Sequence, residues 1–208
     1  MAVGIIVTPV TPPRVVISGI GAVSAFGVGR ERFWSAVSAG TSGIKAITQF
    51  DVSTYPCQVA GWVPPVTADD APALDGDADL AQRADPRRYS RAALFGVIAG
   101  REAWRDAGLR AGEPNAGVIL GSGGGGIDVG EAQYRDFFLE GGKHVTPYAI
   151  ATGICGMVSS EVSISLGLRG ISHVLSCGCT SSTDATGYAL GMIRSGEYDV
   201  LLTGGTDG

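Results

Sequence analysis

The sequence predicts an α/β fold in which helices cover both faces of a largely parallel sheet. Short runs of β-branched apolar residues alternate with longer helical segments, which is the order expected of βαβ units. The chain has 208 residues, of which 45% are hydrophobic and 17% charged, and this is enough for a buried core of its own. Its 33 glycines follow no fixed period, so we assign them to tight turns and close backbone approaches.

The first part of the chain predicts a tail, a strand, a helix and a loop. Residues 1–13 end in two prolines and are expected to form a flexible tail. Residues 14–18, RVVIS, predict a buried strand that ends at a Gly-Ile-Gly turn. Residues 31–39 predict a helix with its aromatic residues on one face, and residues 64–79, rich in Pro, Ala and Asp, predict an exposed loop.

The second part predicts the remaining strands and helices of the sheet. Residues 90–109 predict the clearest helix, because Ala93, Val97, Gly100 and Trp104 recur at helical spacing. The other predicted elements are strands at residues 117–121, 171–177 and 199–204, a glycine-rich loop at residues 122–126, and helices at about residues 131–139, 147–166 and 180–194.

The last predicted strand has no helix after it. The chain stops at Gly208, shortly after that strand. Since a parallel sheet normally has both faces covered, we expect residues 14–208 to form a domain that is incomplete without a C-terminal half.

Composition and charge exclude several classes of function. The net charge is −5 and no cluster of Lys and Arg is present, so no nucleic-acid partner is expected. No apolar run reaches the length of a membrane span, and the N-terminus lacks the basic region of a signal peptide, so we expect a cytoplasmic protein without a membrane partner. The four cysteines are expected to be free thiols, and the two histidines complete no metal site with them, so no metal is expected.

The candidate catalytic side chain is Cys179, within HVLSCGCTSSTDATG. A predicted strand runs into Gly178, the chain turns, and a predicted helix begins beside Cys179. A thiol at a helix N-terminus lies near free N–H groups and the positive end of the helix dipole, which favour the thiolate that attacks acyl groups. The alternative is a buried, inert cysteine. Cys177 lies two residues earlier and lacks the helix end.

The chain also resembles a known family. The segment around Cys179 resembles the active-site element of the ketosynthase branch of the thiolase superfamily, usually T-A-C-[AS]-[ST]-S. RVVISGIGAVSAFG resembles the family's first strand and turn, and FWSAVSAGTSGI its first helix. Further matches, in the family's order, are REAWRDAGL, GVILGSGGGG, VTPYAI, SLGLRG and DVLLTGGTD, which together cover nearly all of residues 14–207. The chain thus resembles the N-terminal, cysteine-bearing part of an elongating β-ketoacyl-acyl carrier protein synthase.

This resemblance implies a thiolase-like layered fold, of which residues 14–208 form the N-terminal half. It implies that Cys179 accepts an acyl chain from the phosphopantetheine thiol of an acyl carrier protein, and that the Cys179 N–H is half of the oxyanion hole. Decarboxylation of a malonyl unit on the carrier protein then gives a carbanion that attacks the acyl thioester, which is a Claisen condensation. Two histidines and a lysine would come from a C-terminal half or a second chain. No cofactor is implied beyond the phosphopantetheine of the carrier protein.

The resemblance also implies a twofold dimer, with an identical or a related subunit. Its interface would use residues 171–177 and a segment near residues 148–157. A sheet that continues across the dimer would remove an exposed edge.

Several residues depart from the family pattern. Cys177 and Gly178 replace the usual Thr-Ala before the nucleophile, and Asp184 places a charge early in the following helix. Gly124 and Ala149 stand at two pocket positions where fatty-acid synthases of this type tend to carry a branched aliphatic and an aromatic residue. The small residues predict a substrate pocket for a long or rigid unsaturated chain, as in polyketide elongation. The alternative is that neighbouring side chains fill the space that the small residues leave, because protein cores are close-packed.

Two other functions stay open at the level of sequence. A non-catalytic partner subunit, similar to a chain-length factor, would share the fold, but such subunits lack the nucleophile that Cys179 supplies here. A dinucleotide-binding α/β enzyme is the more remote alternative, because GIGAVSAFG and GSGGGG resemble phosphate-binding turns. The first lacks the G-x-G-x-x-G spacing, and the second lacks the Lys-Ser/Thr of a P-loop.

Overall fold

The computed structural model describes residues 13–77 and 85–208. In chain order the elements are β1 (Val23–Ser24), β2 (Gly27–Val28), α1 (Arg30–Ser38), β3 (Lys45–Ala46), β4 (Val59–Ala60), α2 (Arg91–Asp106), β5 (Ala116–Gly121), α3 (Ile127–Leu139), α4 (Ala149–Gly153), α5 (Met157–Leu166), β6 (Ser172–Leu175), α6 (Ser181–Arg194) and β7 (Val200–Gly205). Short 3-10 turns occur at Ala68–Asp70, Pro86–Arg88 and Gly178–Thr180. Residues 1–12 of the predicted tail and residues 78–79 of the predicted loop lie outside the described residues.

The central sheet has three parallel strands in the order β6-β5-β7. Val118 of β5 lies opposite Ser172 of β6 and Leu202 of β7. The middle strand, β5, is buried along its whole length. A strand covered on both faces needs a near-continuous apolar run, which AGVILG supplies. The predicted parallel sheet is therefore confirmed.

Helices cover both faces of this sheet, as predicted. Side chains alternate between the two faces of a strand, so Val118 and Leu120 point to one side and Ile119 to the other. Helices α2 and α5 pack on the first side, and α6 packs on the second, where Ala185 and Ala189 join Ile119 in a small core. The main core on the first side includes Val97, Trp104, Val118, Leu120, Val158, Val162, Leu166 and Leu202.

Helix α2 confirms the strongest helix prediction. The Ser90 hydroxyl accepts a hydrogen bond from the Ala93 N–H at 3.2 Å and caps the helix. Gly100 lets the helix approach the sheet closely, because a Cβ there would lie 3.0 Å from a methyl group of β7. Trp104 is 2% exposed and donates its indole N–H to a backbone carbonyl at 2.8 Å. The predicted apolar face of the helix is therefore the face that packs in the core.

The predicted buried strand at residues 14–18 is wrong in this structure. These residues form no ladder with any described strand, and Val16 and Ile17 are 71% and 82% exposed. The chain just after them is held on α2, where Glu102 accepts the Ala22 N–H at 2.9 Å. A strand needs a neighbouring strand to pair its N–H and C=O groups, and an apolar run does not show whether that neighbour is present.

Helix α1 confirms one helix prediction, and the helical segment predicted at residues 147–166 is interrupted. Helix α1 matches the prediction for residues 31–39, yet Phe33 and Trp34 are 40% and 67% exposed, so the aromatic face is not packed against the described residues. The single helix predicted at residues 147–166 is two helices, α4 and α5, because the backbone is extended at Ile154. The two short hairpins, β1-β2 and β3-β4, were not predicted.

Helix α5 buries a charged side chain. Glu161 is fully buried, and a carboxylate oxygen lies 3.0 Å from the Arg88 guanidinium. Burial raises the pKa of Glu161 above its ordinary value of 4.5, although the hydrogen bond from Arg88 acts in the opposite direction. This ion pair joins the 3-10 turn before α2 to the middle of α5.

Two classes of feature are missing from the described residues. Across residues 13–77 and 85–208, no helix has both the length and the apolar character needed to cross a bilayer. In the same two ranges, no three His, Cys, Asp or Glu side chains are grouped so that they hold a metal ion.

Candidate active site

Cys179 lies on the one-turn 3-10 segment Gly178–Thr180, between β6 and α6. Gly178 has φ +73°, a left-handed conformation that glycine adopts without a Cβ clash. The Cys179 thiol is exposed, so it is not the buried, inert cysteine of the alternative reading. Strand, turn and helix follow one another around this residue as the sequence predicts.

Close packing positions the N-terminus of α6 on the carboxyl end of the sheet. A Cβ at Gly121, the last residue of β5, would lie only 2.2 Å from the Ser181 carbonyl carbon. A Cβ at Gly205, the last residue of β7, would lie 2.5 Å from the Ser182 Cβ. No side chain other than hydrogen fits at either position without moving α6. These two glycines therefore set the place of the turn that carries Cys179.

Hydrogen bonds then fix the shape of that turn. The Cys177 N–H donates to the Ser181 Oγ at 2.9 Å, and the Ser181 hydroxyl donates to the Gly178 carbonyl at 2.6 Å. None of the described side chains caps α6, and the Ser181 N–H donates to the Gly178 carbonyl of the 3-10 turn. This arrangement favours negative charge at that end of the helix.

Two of the residues that depart from the family pattern, Cys177 and Asp184, contact each other. The Cys177 thiol donates to Asp184 Oδ2 at 2.8 Å, and the Thr180 hydroxyl donates to the same oxygen at 3.1 Å. Asp184 thus reaches back from the first turn of α6 across the Cys179 turn. Each residue is visible in the sequence, but their contact is not, because a spacing of seven residues across a turn has no fixed geometry.

The glycine-rich loop after β5 is organised around a carboxylate. Asp207 Oδ1 accepts hydrogen bonds from the N–H groups of Gly123 and Gly124 at 2.9 and 3.0 Å and from the Ser122 hydroxyl at 2.9 Å. The N–H groups of this loop, which resembles a phosphate-binding turn in sequence, are therefore already bound to the Asp207 carboxylate. The dinucleotide-binding alternative is left without support. Asp207 was not predicted as a site residue, because DVLLTGGTD indicated only a strand and a family match.

The predicted pocket residues lie on two neighbouring segments. Gly124 is exposed in the glycine-rich loop, and Ala149 is the half-buried first residue of α4. The loop touches α4 closely, because a Cβ at Gly126 would lie 1.9 Å from the Thr152 carbonyl oxygen. Neither Gly124 nor Ala149 lines the cavity beside Gly112 and Tyr198 or the cavity beside Ile17 and Leu202 in the described part of the chain. Their role in holding an acyl chain stays a prediction.

The two histidines lie apart from the features that surround Cys179. His144 is exposed beside Glu140, with Nε2 4.0 Å from a carboxylate oxygen. His173 lies on β6, with its residue exposed on the edge strand of the sheet. Neither forms a side-chain hydrogen bond to residues 177–184 within the described part of the chain.

Together, the layered α/β fold and the exposed thiol on a strand–turn–helix junction define a protein of the thiolase-like class. Residues 13–208 match the family described as "Beta-ketoacyl synthase, N-terminal domain". The chain belongs to the β-ketoacyl synthase family, and the resemblance read from the sequence is confirmed.

Curated relatives agree with this assignment. The chain is 36% identical over 197 residues to a 3-oxoacyl-[acyl-carrier-protein] synthase 2 of Coxiella burnetii, covering 93% of this chain and 45% of that protein. It is 32% identical over 197 residues to the protein of the same name from Vibrio cholerae, with the same coverage of 93% and 45%. The chain therefore spans about half the length of the curated relatives that it matches.

A solved structure shows the same fold. The structure described as the ishigamide ketosynthase/chain length factor superimposes with a TM-score of 0.80 at 26% identity, covering 95% of this chain and 48% of that chain. The predicted thiolase-like layered fold, present as an N-terminal half, is thus confirmed.

Proposed function

We propose that the protein is a β-ketoacyl-acyl carrier protein synthase that elongates acyl chains by decarboxylative Claisen condensation. The observation that carries this proposal is the exposed Cys179 thiol at the uncapped N-terminus of α6, in a member of the β-ketoacyl synthase family. An accessible thiol near a positive helix end is the environment of an acyl-accepting nucleophile.

Cys179 carries the acyl chain in the first half-reaction. Its thiolate attacks the carbonyl carbon of an acyl thioester on the phosphopantetheine of a carrier protein. A carbon–sulfur bond forms to Cys179, the bond to the carrier sulfur breaks, and the carrier thiolate leaves and takes up a proton. The Cys179 N–H stabilises the negative oxygen of the tetrahedral intermediate as one donor of the oxyanion hole. The family relationship implies this role for the N–H group.

The second half-reaction needs groups beyond those around Cys179. A malonyl thioester loses CO2, and the resulting carbanion attacks the Cys179 thioester. The new carbon–carbon bond forms as the Cys179 carbon–sulfur bond breaks and the thiolate returns. His144 lies beside Glu140 and His173 lies on the edge strand, and among the described residues neither forms a side-chain hydrogen bond to the Cys179 turn. We assign the stabilisation of the carbanion and the second oxyanion donor to two histidines and a lysine from a C-terminal half or a second chain.

The experiment that tests this function measures condensation by the natural protein. With acyl and malonyl carrier proteins, it should release CO2 and form a β-ketoacyl carrier protein, without any added cofactor. Cys179→Ala should lower product formation by at least about a hundredfold, the scale expected on loss of a nucleophile. Cys57→Ala, which removes another exposed thiol, is the matched control and should retain activity. Undiminished product formation by Cys179→Ala would contradict the proposal.

The names of the relatives support an acyl carrier protein as the proposed partner. Two relatives bear names that include an acyl carrier protein, and both match this chain over its Cys179 region. A carrier-bound substrate reaches the active site on the long, flexible phosphopantetheine arm, and the exposed Cys179 is open to such an arm.

The acyl pocket is proposed to extend past Gly124 and Ala149. A Cβ at Gly124 would lie 3.4 Å from the Ile127 Cγ2, an ordinary contact, so a side chain fits there and its absence leaves room. Such room suits a long or rigid unsaturated chain and favours polyketide over saturated fatty-acid elongation. The bulky variants Gly124→Ile and Ala149→Phe should shorten the longest product while acylation of Cys179 persists. Unchanged product lengths in both variants would contradict the extended pocket.

The same protein is proposed to form a twofold dimer, with itself or with a related subunit. Strand β6 is an edge strand of the described sheet, so one side of its backbone is open for a partner strand. Ile150 and Ile154, within the second predicted interface segment, are 79% and 54% exposed. An interface above about 2,000 Å² is expected of such an obligate pair. Sedimentation at micromolar concentration should show a dimer, and a monomer would contradict this assembly.

A chain-length-factor-like subunit is the second candidate function. The solved structure at a TM-score of 0.80 is named for both a ketosynthase and a chain length factor, so the fold suits either role. The presence of Cys179 favours the catalytic role. A protein whose Cys179 takes no acyl group from any carrier, yet that changes product length in a partner synthase, would establish the second role.

A further inference from the structure

The turn that carries the proposed nucleophile contains two exposed thiols. Cys177 and Cys179 are both free and exposed, and both lie on the chain between β6 and α6. Exposure therefore does not by itself decide which thiol accepts an acyl chain.

A single carboxylate distinguishes the two thiols. The Cys177 thiol donates to Asp184 Oδ2 at 2.8 Å, whereas Cys179 forms no side-chain hydrogen bond among the described residues. The Thr180 hydroxyl donates to the same oxygen at 3.1 Å and helps to hold the carboxylate over the turn. In this contact the Cys177 sulfur is the donor and the Asp184 oxygen is the acceptor.

We propose that Asp184 is a positioning residue that holds Cys177 as a hydrogen-bond donor and so leaves Cys179 as the reactive thiol of the pair. The inference rests on the proposed function, in which Cys179 carries the acyl chain. An acyl chain on Cys177 would begin two residues earlier, on the far side of Gly178 with its left-handed backbone, and would enter the site from a different point. Selection between the thiols therefore protects the productive acyl-enzyme.

The contact also accounts for two residues that depart from the family pattern together. A thiol at position 177 brings a competing nucleophile, and a carboxylate at position 184 accepts a hydrogen bond from that thiol. Thr180 supplies the second donor to the same oxygen, so the carboxylate is held whether or not Cys177 moves. A carboxylate in the first turn of a helix is also favoured by the helix dipole.

The test measures the reactivity of Cys177 alone, in the natural protein with Cys179→Ser. Iodoacetamide labelling at neutral pH is followed with time, and peptide fragmentation assigns the label to Cys177. Adding Asp184→Ala should raise the labelling rate of Cys177 about threefold to fivefold, the range expected of an exposed charged contact. Asp184→Asn should give a smaller rise, because its amide oxygen still accepts the thiol hydrogen bond while the charge is lost.

A matched control and a second readout complete the test. Asp69→Ala removes an exposed carboxylate from the 3-10 turn Ala68–Asp70 and should leave the Cys177 rate unchanged. With both cysteines present, an acyl carrier protein should acylate Cys177 measurably only when Asp184 is replaced. An unchanged Cys177 labelling rate in both Asp184 variants would overturn the proposal. Failure of the proposed function shows separately, as an absence of acyl groups on Cys179 when Asp184 is intact.

Discussion

The two faces of the central sheet differ in the size of the side chains that pack against them. Under α2 and α5, large apolar side chains such as Trp104 and Leu166 are fully buried against Val118. Under α6, the core is small, formed around Ile119, and the first turn of the helix rests on glycine. Large buried side chains stabilise a fold, whereas close contacts at glycine and hydrogen bonds within a turn fix the position of a backbone segment. The difference indicates that the first face supplies stability and the second face supplies the geometry of the Cys179 turn.

The largest expected effect of a substitution lies on the α2 face. Trp104→Ala removes a side chain that is 2% exposed, together with its hydrogen bond, and should lower the free energy of unfolding by about 3–5 kcal/mol. Labelling of Cys179 in the molecules that remain folded should not change. Chemical unfolding of the natural protein measures the first effect. Trp34→Ala, at a site 67% exposed, is the control and should cost less than about 0.5 kcal/mol. Equal losses from both variants would contradict the assignment of stability to this face.

A second substitution sharpens the comparison on the α6 face. Gly121→Ala would place a Cβ 2.2 Å from the Ser181 carbonyl carbon and so must displace the first turn of α6. Acylation of Cys179 should fall about tenfold to a hundredfold, since small misplacements of a reacting group have effects of that size. The matched control is Gly187→Ala within α6, where an added Cβ meets no atom within 4 Å. If both alanine variants acylate at the natural rate, the glycine contact does not position Cys179.

The smallest effect concerns the pH dependence of the ion pair on α5. Burial raises the pKa of Glu161, so the folded protein holds this proton more tightly than the unfolded chain. The contribution of Glu161 to stability is therefore complete below its ordinary value of 4.5 and decreases as pH rises through the higher value of the folded state.

Replacement of Glu161 isolates its contribution to the pH dependence of stability. The free energy of unfolding of the natural protein, relative to Glu161→Gln, should decrease as pH rises from below 4.5 toward neutrality. Unfolding curves at several pH values measure this difference. Asp69→Asn, which changes an exposed carboxylate on the separate 3-10 turn Ala68–Asp70, is the comparison variant. A difference that grows with pH would show that pairing with Arg88, not burial, dominates the behaviour of Glu161.

Much of the fold was predictable because periodicity and glycine positions are local signals. The β5 run AGVILG and the spacing from Ala93 to Trp104 each indicated an element that the structure contains. The strand prediction at residues 14–18 was wrong for a non-local reason. A strand forms only beside another strand, and the apolar run does not indicate whether such a neighbour is present. The sequence predicted helix α1, but it did not indicate what packs against the aromatic face of that helix.

The local structure at Cys179 was predictable, and the contacts around it were less so. The sequence placed Cys179 on a junction of strand, turn and helix, which the structure contains, and its role as nucleophile stays a proposal. Asp207 and the contact of Cys177 with Asp184 were missed, because both arise from contacts across turns or between distant segments. Side-chain partners separated by a loop depend on tertiary packing, and sequence spacing does not determine that packing.

The position of the first acyl group tests the central proposal most directly. The natural protein is incubated with an acyl carrier protein alone, digested, and examined by peptide fragmentation between Cys177 and Cys179. The account predicts an acyl group on Cys179, its loss in Cys179→Ala, and a substantial part of the acylation retained in Cys177→Ala. An acyl group found on Cys177 in the natural protein, or acylation that persists in Cys179→Ala, would contradict the assignment of Cys179 as the nucleophile.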